Sequence, residues 1–131
     1  MITTQRCPCQ SGDTLGDCCA RFLNAVGTAF PPTAQALMRS RFTAFATGDA
    51  GYLLATWHPA HRPSGLELDP EQQWYRLDIL ETRAGGPLDT DGEVTFRAHY
   101  RYQGARESFT ETSSFVRMGR QWLYVSALSL E

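Results

Sequence analysis

Two hydrophobic periods divide this chain. Between Thr33 and Thr47 apolar residues recur every three to four positions, and Ala34, Leu37, Met38, Phe42, Phe45 and Ala46 fall on one wide arc of a helix. Thr33 stands where a cap belongs and Gly48 where a helix stops. Arg41 lies near the middle of the arc, Arg39 at its edge, and Ser40 faces away. A shorter helix is predicted over Ala50–Trp57, ending ahead of Pro59. The segment "LDPEQQWYRL" reads as a third helix start, with Asp69 as cap and Pro70 in the first helical position.

From Leu77 the period falls to two. Leu77 and Ile79 alternate with polar neighbours. In "EVTFRAHYRY" one face carries Val94, Phe96, Ala98, Tyr100 and Tyr102, and the other Thr95, Arg97, His99 and Arg101. In "SFTETSSFVRM" Phe109, Glu111, Ser113 and Phe115 share a face, and "QWLYVSALSL" makes a last strand. "QGAR" and "MGRQ" read as the hairpin turns between strands, and Gly85-Gly86-Pro87 as another turn. Helices followed by a mostly antiparallel sheet predict an α+β fold.

At 131 residues the chain is long enough for one domain and a small appendage. No apolar run approaches the roughly 18 residues of a membrane span, and the opening MITTQRCPC lacks the apolar core of a secretory signal. The expected compartment is the reducing cytoplasm. All twelve basic residues are arginine. Phosphate recognition would use that residue, but compositional bias explains the usage as simply. The arginines are scattered, which argues against a nucleic-acid-binding face.

The four cysteines sit within "CPCQSGDTLGDCC", at Cys7, Cys9, Cys18 and Cys19. A vicinal Cys18–Cys19 bridge is strained, and crossed bridges do not suit a reducing compartment. Four thiolates on one short loop suit a tetrahedral zinc ion, in a site with no open position and hence structural. Gly12 and Gly16 would supply the positive φ values of so tight a loop, and Arg6 and Arg21 would offset the charge.

The C-x-C-x8-C-C spacing, with Ser11-Gly12 inside it, resembles the SEC-C zinc motif, which also ends the preprotein translocase ATPase SecA. Gln10 stands where that motif usually has glycine, and Asp13, Thr14 and Leu15 stand where it often has basic residues. The second difference weakens any transfer of the translocase motif's partner-binding role. The segments "LMRSRFTAFATGDAGYLLATWHP", "VTFRAHYR" and "SSFVRMGRQWLYV" are similar to the YchJ family, a SEC-C knuckle on a nuclear transport factor 2-like domain. The resemblance implies a cone of curved antiparallel sheet around helices, with an internal cavity. It implies no activity. It divides the chain into a knuckle at 1–26 and a cone at 27–131. The family's "HERSRF"-like segment is here "TETSSF", which keeps Glu111 and loses the histidine and both basic positions.

Arg41 and Glu111 are charged where apolar residues belong, so each needs a partner, and the two are expected to bond inside the cone. Such a pair either fixes helix to sheet or anchors a ligand. His58 beside Trp57 is either a general base or a residue at a helix end; His99 is expected in solvent. Trp57, Trp74, Phe96, Tyr100, Phe115, Trp122 and Tyr124 are cavity-lining candidates, or simply core. Two functions follow. The first is a binding or adaptor module, with a protein partner at the zinc knuckle or a small ligand in the cone, as a monomer or as a homodimer through its sheet. The second is a small acid–base enzyme, a hydrolase or isomerase, using Glu111 and His58.

Overall fold

The computed structural model describes residues 4–130. Three helices, α1 (Ala20–Leu23), α2 (Ala34–Thr47) and α3 (Ala50–Ala55), precede four strands, β1 (Gln72–Ala84), β2 (Asp91–Tyr102), β3 (Ala105–Met118) and β4 (Gln121–Leu130). The strands form one antiparallel sheet in the order β1-β2-β3-β4. The fold is α+β, as the two periods predict. No helix among the described residues is long and apolar enough to cross a membrane.

Helix α2 begins and ends where its sequence directs. The Thr33 hydroxyl accepts the Ala36 N–H at 3.0 Å, a cap of about 1 kcal/mol. Gly48, at φ 77°, ends the helix in the left-handed region. Asp49 caps α3 by accepting the Tyr52 N–H at 3.0 Å. The chain leaving α3 is then tied to β4: His58 N–H donates to the Tyr124 carbonyl, and Tyr124 N–H to the Thr56 carbonyl, both at 2.8 Å.

The sheet curves around α2. Register shifts interrupt β1 after Trp74 and Ile79, and the β3–β4 pairing after Thr112 and Ser114. Bulges of this kind bend a strand and sharpen its twist. The inner face buries Leu77, Val94, Phe96, Ala98, Phe115 and Trp122 against the helices. Hairpin turns fall at the two expected places. Gln103 and Gly104 take φ 50° and 82°, the paired positive values of a turn that matches strand twist. Gly119, at φ 66°, serves the next.

Three expectations need correction. No helix starts at Pro70. Asp69 accepts the Glu71 N–H at 2.9 Å, but the turn so made delivers the chain into β1, where Gln72 and Trp74 pair with Tyr102 and Tyr100. Ser40 does not face solvent; it is fully buried, and its hydroxyl meets that of Tyr52 at 2.7 Å because α3 covers that side of α2. His99 is half-buried and pairs with Asp78 at 2.9 Å across β1 and β2. Burial works against the Asp78 carboxylate, but hydrogen bonds from His99 and Arg76 hold it below the usual carboxylate range.

The β1–β2 connection closes on the start of α2. Ala34 N–H donates to the Gly85 carbonyl at 2.9 Å. A Cβ on Gly92 would lie 2.5 Å from the Gly85 Cα, a backbone atom that cannot swing away. Gly92→Ala is therefore expected to cost about 1–3 kcal/mol, the range for overpacking, and to lower the thermal midpoint measured by circular dichroism. Gly51→Ala is its opposite. The new methyl meets only Asp49 Oδ1, at 3.6 Å, and removing a helical glycine is expected to raise stability by about 0.5–1 kcal/mol.

Candidate metal centre and cavity

The first of two sites is the cysteine loop. Cys7 N–H donates to the Asp13 carbonyl at 2.9 Å and Leu15 N–H to the Gln5 carbonyl at 2.7 Å, so the loop folds back on itself before α1. All four thiols are buried, unbridged, and within 4.8 Å of one another. Cys9 Sγ lies 3.6 Å from Cys18 Sγ, which lies 3.9 Å from Cys19 Sγ. A disulfide needs about 2.05 Å. A tetrahedron of metal–sulfur bonds of about 2.3 Å has edges of about 3.8 Å. The cluster therefore fits a four-coordinate metal ion and does not fit a bridge.

The chain around the cluster supports that charge. The Ser11 hydroxyl lies 3.1 Å from Cys18 Sγ. The Thr43 hydroxyl, on α2, lies 3.5 Å from Cys7 Sγ. Arg21 Nε donates to the Cys18 carbonyl at 3.0 Å, and Arg39 donates to the Cys9 carbonyl. The thiols depend strongly on one another. Hydrogen bonds from Cys19 and then Cys9 pull Cys7 far down toward the thiolate. The bond to Cys7, then that to Cys9 and then burial, push Cys19 far up. A cation removes that conflict by taking all four as thiolates.

The loop's backbone differs from expectation at one glycine. Gly12 does take a positive φ, 97°, but Gly16 does not; the other left-handed position is Gln10, at φ 67°. That is the position at which the SEC-C motif usually has glycine, and its conformation explains the preference. The Gln10 side chain is used here instead, donating to the Tyr75 carbonyl at 3.3 Å and so touching β1. Arg39 and Thr43 were not singled out by sequence. They lie four apart on α2, one face of the helix, which is the trace they leave there.

The second site is a cavity of about 130 Å³ inside the cone. Its apolar wall includes Met38, Phe42, Phe45, Trp74, Phe96 and Phe109, and its polar groups are Arg41, Trp57, Glu111, Ser113 and Tyr124. Of the residues proposed from sequence, Arg41, Trp57, Trp74, Phe96, Glu111 and Tyr124 meet there. His58, Tyr100, Phe115 and Trp122 do not line it. His58 Nδ1 accepts the Ala60 N–H at 3.0 Å in the loop after α3. Tyr100 packs against Trp74 at a tilt of 51°, ring centres 4.8 Å apart. Phe115 packs on Tyr124, and Trp122 is fully buried, donating to the Pro32 carbonyl at 3.2 Å.

Arg41 and Glu111 do not bond as expected; no ion pair joins them among the described residues. Arg41 finds its partners in α3 instead. Its Nη1 donates to the Leu53 carbonyl and to the Thr56 hydroxyl, each at 2.8 Å. Its guanidinium sits over the rings of Trp57 and Tyr124, 5.3 and 4.6 Å from their centres, contacts that strengthen when desolvated. Burial pulls it down to about 10, opposed by Tyr124, Tyr52 and Glu111, so it stays charged at neutral pH. The carboxylate of Glu111 accepts the Ser113 hydroxyl two positions along the same strand face. Trp57 Nε1 is buried without a partner among the described residues.

A cone of curved sheet around a buried helix, stapled by a four-cysteine loop, defines the class: a nuclear transport factor 2-like domain bearing a SEC-C motif. Residues 33–127 match the family description "YchJ, middle NTF2-like domain", and residues 4–21 match the SEC-C motif. The chain belongs to the YchJ family, whose members carry the name UPF0225. A UPF0225 protein of Corynebacterium efficiens is 51% identical over 91% of this chain and 89% of its own. One of Streptomyces coelicolor is 48% identical over 99% of this chain and 100% of its own. The solution structure of a SEC-C motif containing protein from Rhodopseudomonas palustris superposes with a TM-score of 0.81 at 30% identity, over 95% of this chain and 98% of the other. The crystal structure of a Psychrobacter arcticus SEC-C motif containing protein gives 0.79 at 23% identity, over 96% and 84%, which bears on the fold alone.

The two charges make opposite predictions in urea denaturation. Glu111→Gln is expected to change stability by less than about 0.5 kcal/mol, because no buried cation bonds to it and its attraction for Arg41 is the weakest of the three. Thr56→Val keeps the shape but removes an acceptor from buried Arg41, and is expected to cost about 1–3 kcal/mol.

Proposed function

We propose that this chain is a cytoplasmic small-ligand-binding module whose cone is held in shape by one structural zinc ion. Cys7, Cys9, Cys18 and Cys19 would be the ligands, leaving no position for chemistry at the metal. Four free, buried thiols belong in a reducing compartment. The knuckle of residues 1–26 would act as a staple on the cone of residues 27–131, since Cys7 meets Thr43 and Cys9 meets Arg39, both on α2.

The single observation that carries the binding reading is the cavity's polar equipment. A buried guanidinium and a carboxylate converge on an otherwise mostly aromatic pocket. Pockets that are mostly apolar with a few converging polar groups are the usual form of a small-molecule site. Binding is favoured over acid–base catalysis because His58 lies outside the cavity, which leaves Glu111 without its proposed partner.

Native mass spectrometry of the protein, purified reduced and without added ligand, tests both parts. The expected spectrum carries the mass of one zinc and of a small non-covalent adduct. Ala98→Phe, which fills the cavity, should lose the adduct and keep the zinc; Cys19→Ser should lose the zinc. A metal-free chain with a native circular dichroism spectrum would overturn the staple, and an adduct that survives in Ala98→Phe would overturn the pocket.

A further inference from the structure

The chemistry of the pocket narrows what it holds, on the reading that it is a ligand site. Its volume, about 130 Å³, is close to the roughly 150 Å³ of apolar cavities that accept one benzene ring. Its apolar walls are Ala98 and six larger side chains, all on α2, β1 and β2 except Phe109 on β3. A single flat ring fills such a space. A chain of sugars or a nucleotide does not.

The polar groups fix the rest of the molecule. On the α2–α3 side stand donors. Arg41 makes its protein hydrogen bonds through Nη1 alone, which leaves Nε and Nη2 to offer. On β3 stands an acceptor, the carboxylate of Glu111, already receiving the Ser113 hydroxyl through one oxygen. Each buried group left unpaired costs free energy, so the ligand that removes most of that cost presents an acceptor to Arg41 and a donor to Glu111. Charge adds a second condition. One guanidinium and one carboxylate face the same small space, and a ligand that brings a net charge meets one of them as a repulsion in a medium of low dielectric.

We infer that the cone pocket binds an uncharged, ring-sized molecule carrying a carbonyl-type acceptor beside an N–H or O–H donor, an aromatic carboxamide being the simplest example.

Three probes of equal ring size separate this class from its neighbours: benzamide, benzoate and toluene. Binding is read from the 1H–15N resonance of the Trp57 indole in the full zinc-loaded chain, which reports the site and not the surface. Benzamide is expected to bind at least tenfold more tightly than either benzoate or toluene. Glu111→Gln removes the repelling charge and should improve benzoate by tenfold or more while leaving toluene where it was. Toluene binding as tightly as benzamide would overturn the polar assignment while leaving the pocket a ligand site. Benzoate preferred by the unaltered chain would overturn the charge condition. No shift of the Trp57 resonance with any of the three would overturn the pocket as a ligand site altogether.

Discussion

Helix α2 is enclosed on nearly every side, and that enclosure constrains everything else. The sheet covers it from β1, β2 and β4, α3 lies along another flank, and the cysteine loop closes a third. A helix so placed ought to be apolar all round. This one carries Arg39, Ser40, Arg41 and Thr43 in five consecutive positions. Each can be buried only if something answers it, and each is answered by a different neighbour: the Cys9 carbonyl, the Tyr52 hydroxyl, the Leu53 and Thr56 oxygens, and the Cys7 sulfur. The polar side chains of α2 thus specify which element packs on which flank. Apolar burial supplies the driving force without that information.

The same logic explains why Arg41 turned to α3 and not to Glu111. A carbonyl at a helix end is already oriented and lacks a helical partner, so a guanidinium reaching it gains a charge-assisted bond without the desolvation of a second ion. The chain after Ala55 is in turn held by β4 through Tyr124. Arg41 therefore clamps α2 to a segment the sheet has already fixed. Glu111 is left facing the cavity with Ser113 as its companion, which is where a group with a role toward a ligand would stand.

Much of this was legible in the residues. The periods of α2, β2 and β3, the caps at Thr33 and Gly48 and both hairpin turns needed only local rules, and the structure keeps them. The thiol cluster was legible because its spacing is short and its chemistry has few solutions. What sequence could not carry was the third dimension. Asp69-Pro70 is equally good punctuation before a helix or a strand, and the bulge after Trp74 breaks the alternation that would have decided it, leaving Trp74 and Tyr75 both half-buried. Ser40 looked solvent-facing because the arc was drawn from apolar residues alone, whereas α3 buries a polar flank. Arg41's acceptors are twelve and fifteen residues away and one is backbone, which no side-chain pattern reveals.

The knuckle and the cavity are joined by geometry. Arg39 and Thr43 lie on the flank of α2 that meets the cysteine loop, while Met38, Arg41, Phe42 and Phe45 form part of the cavity wall. The axis between them is one helix of fourteen residues, capped at both ends. Whatever fixes the thiols fixes the backbone of Cys7 and Cys9, and through these contacts the rotation of α2 about its own axis. A small turn of that helix would move the Arg41 guanidinium off the faces of Trp57 and Tyr124 and away from the Thr56 hydroxyl, since all three are reached by one side chain. With the metal proposed above in place, the loop would set the precision of the cavity on the other flank, and a closed metal site is the form that such a role requires.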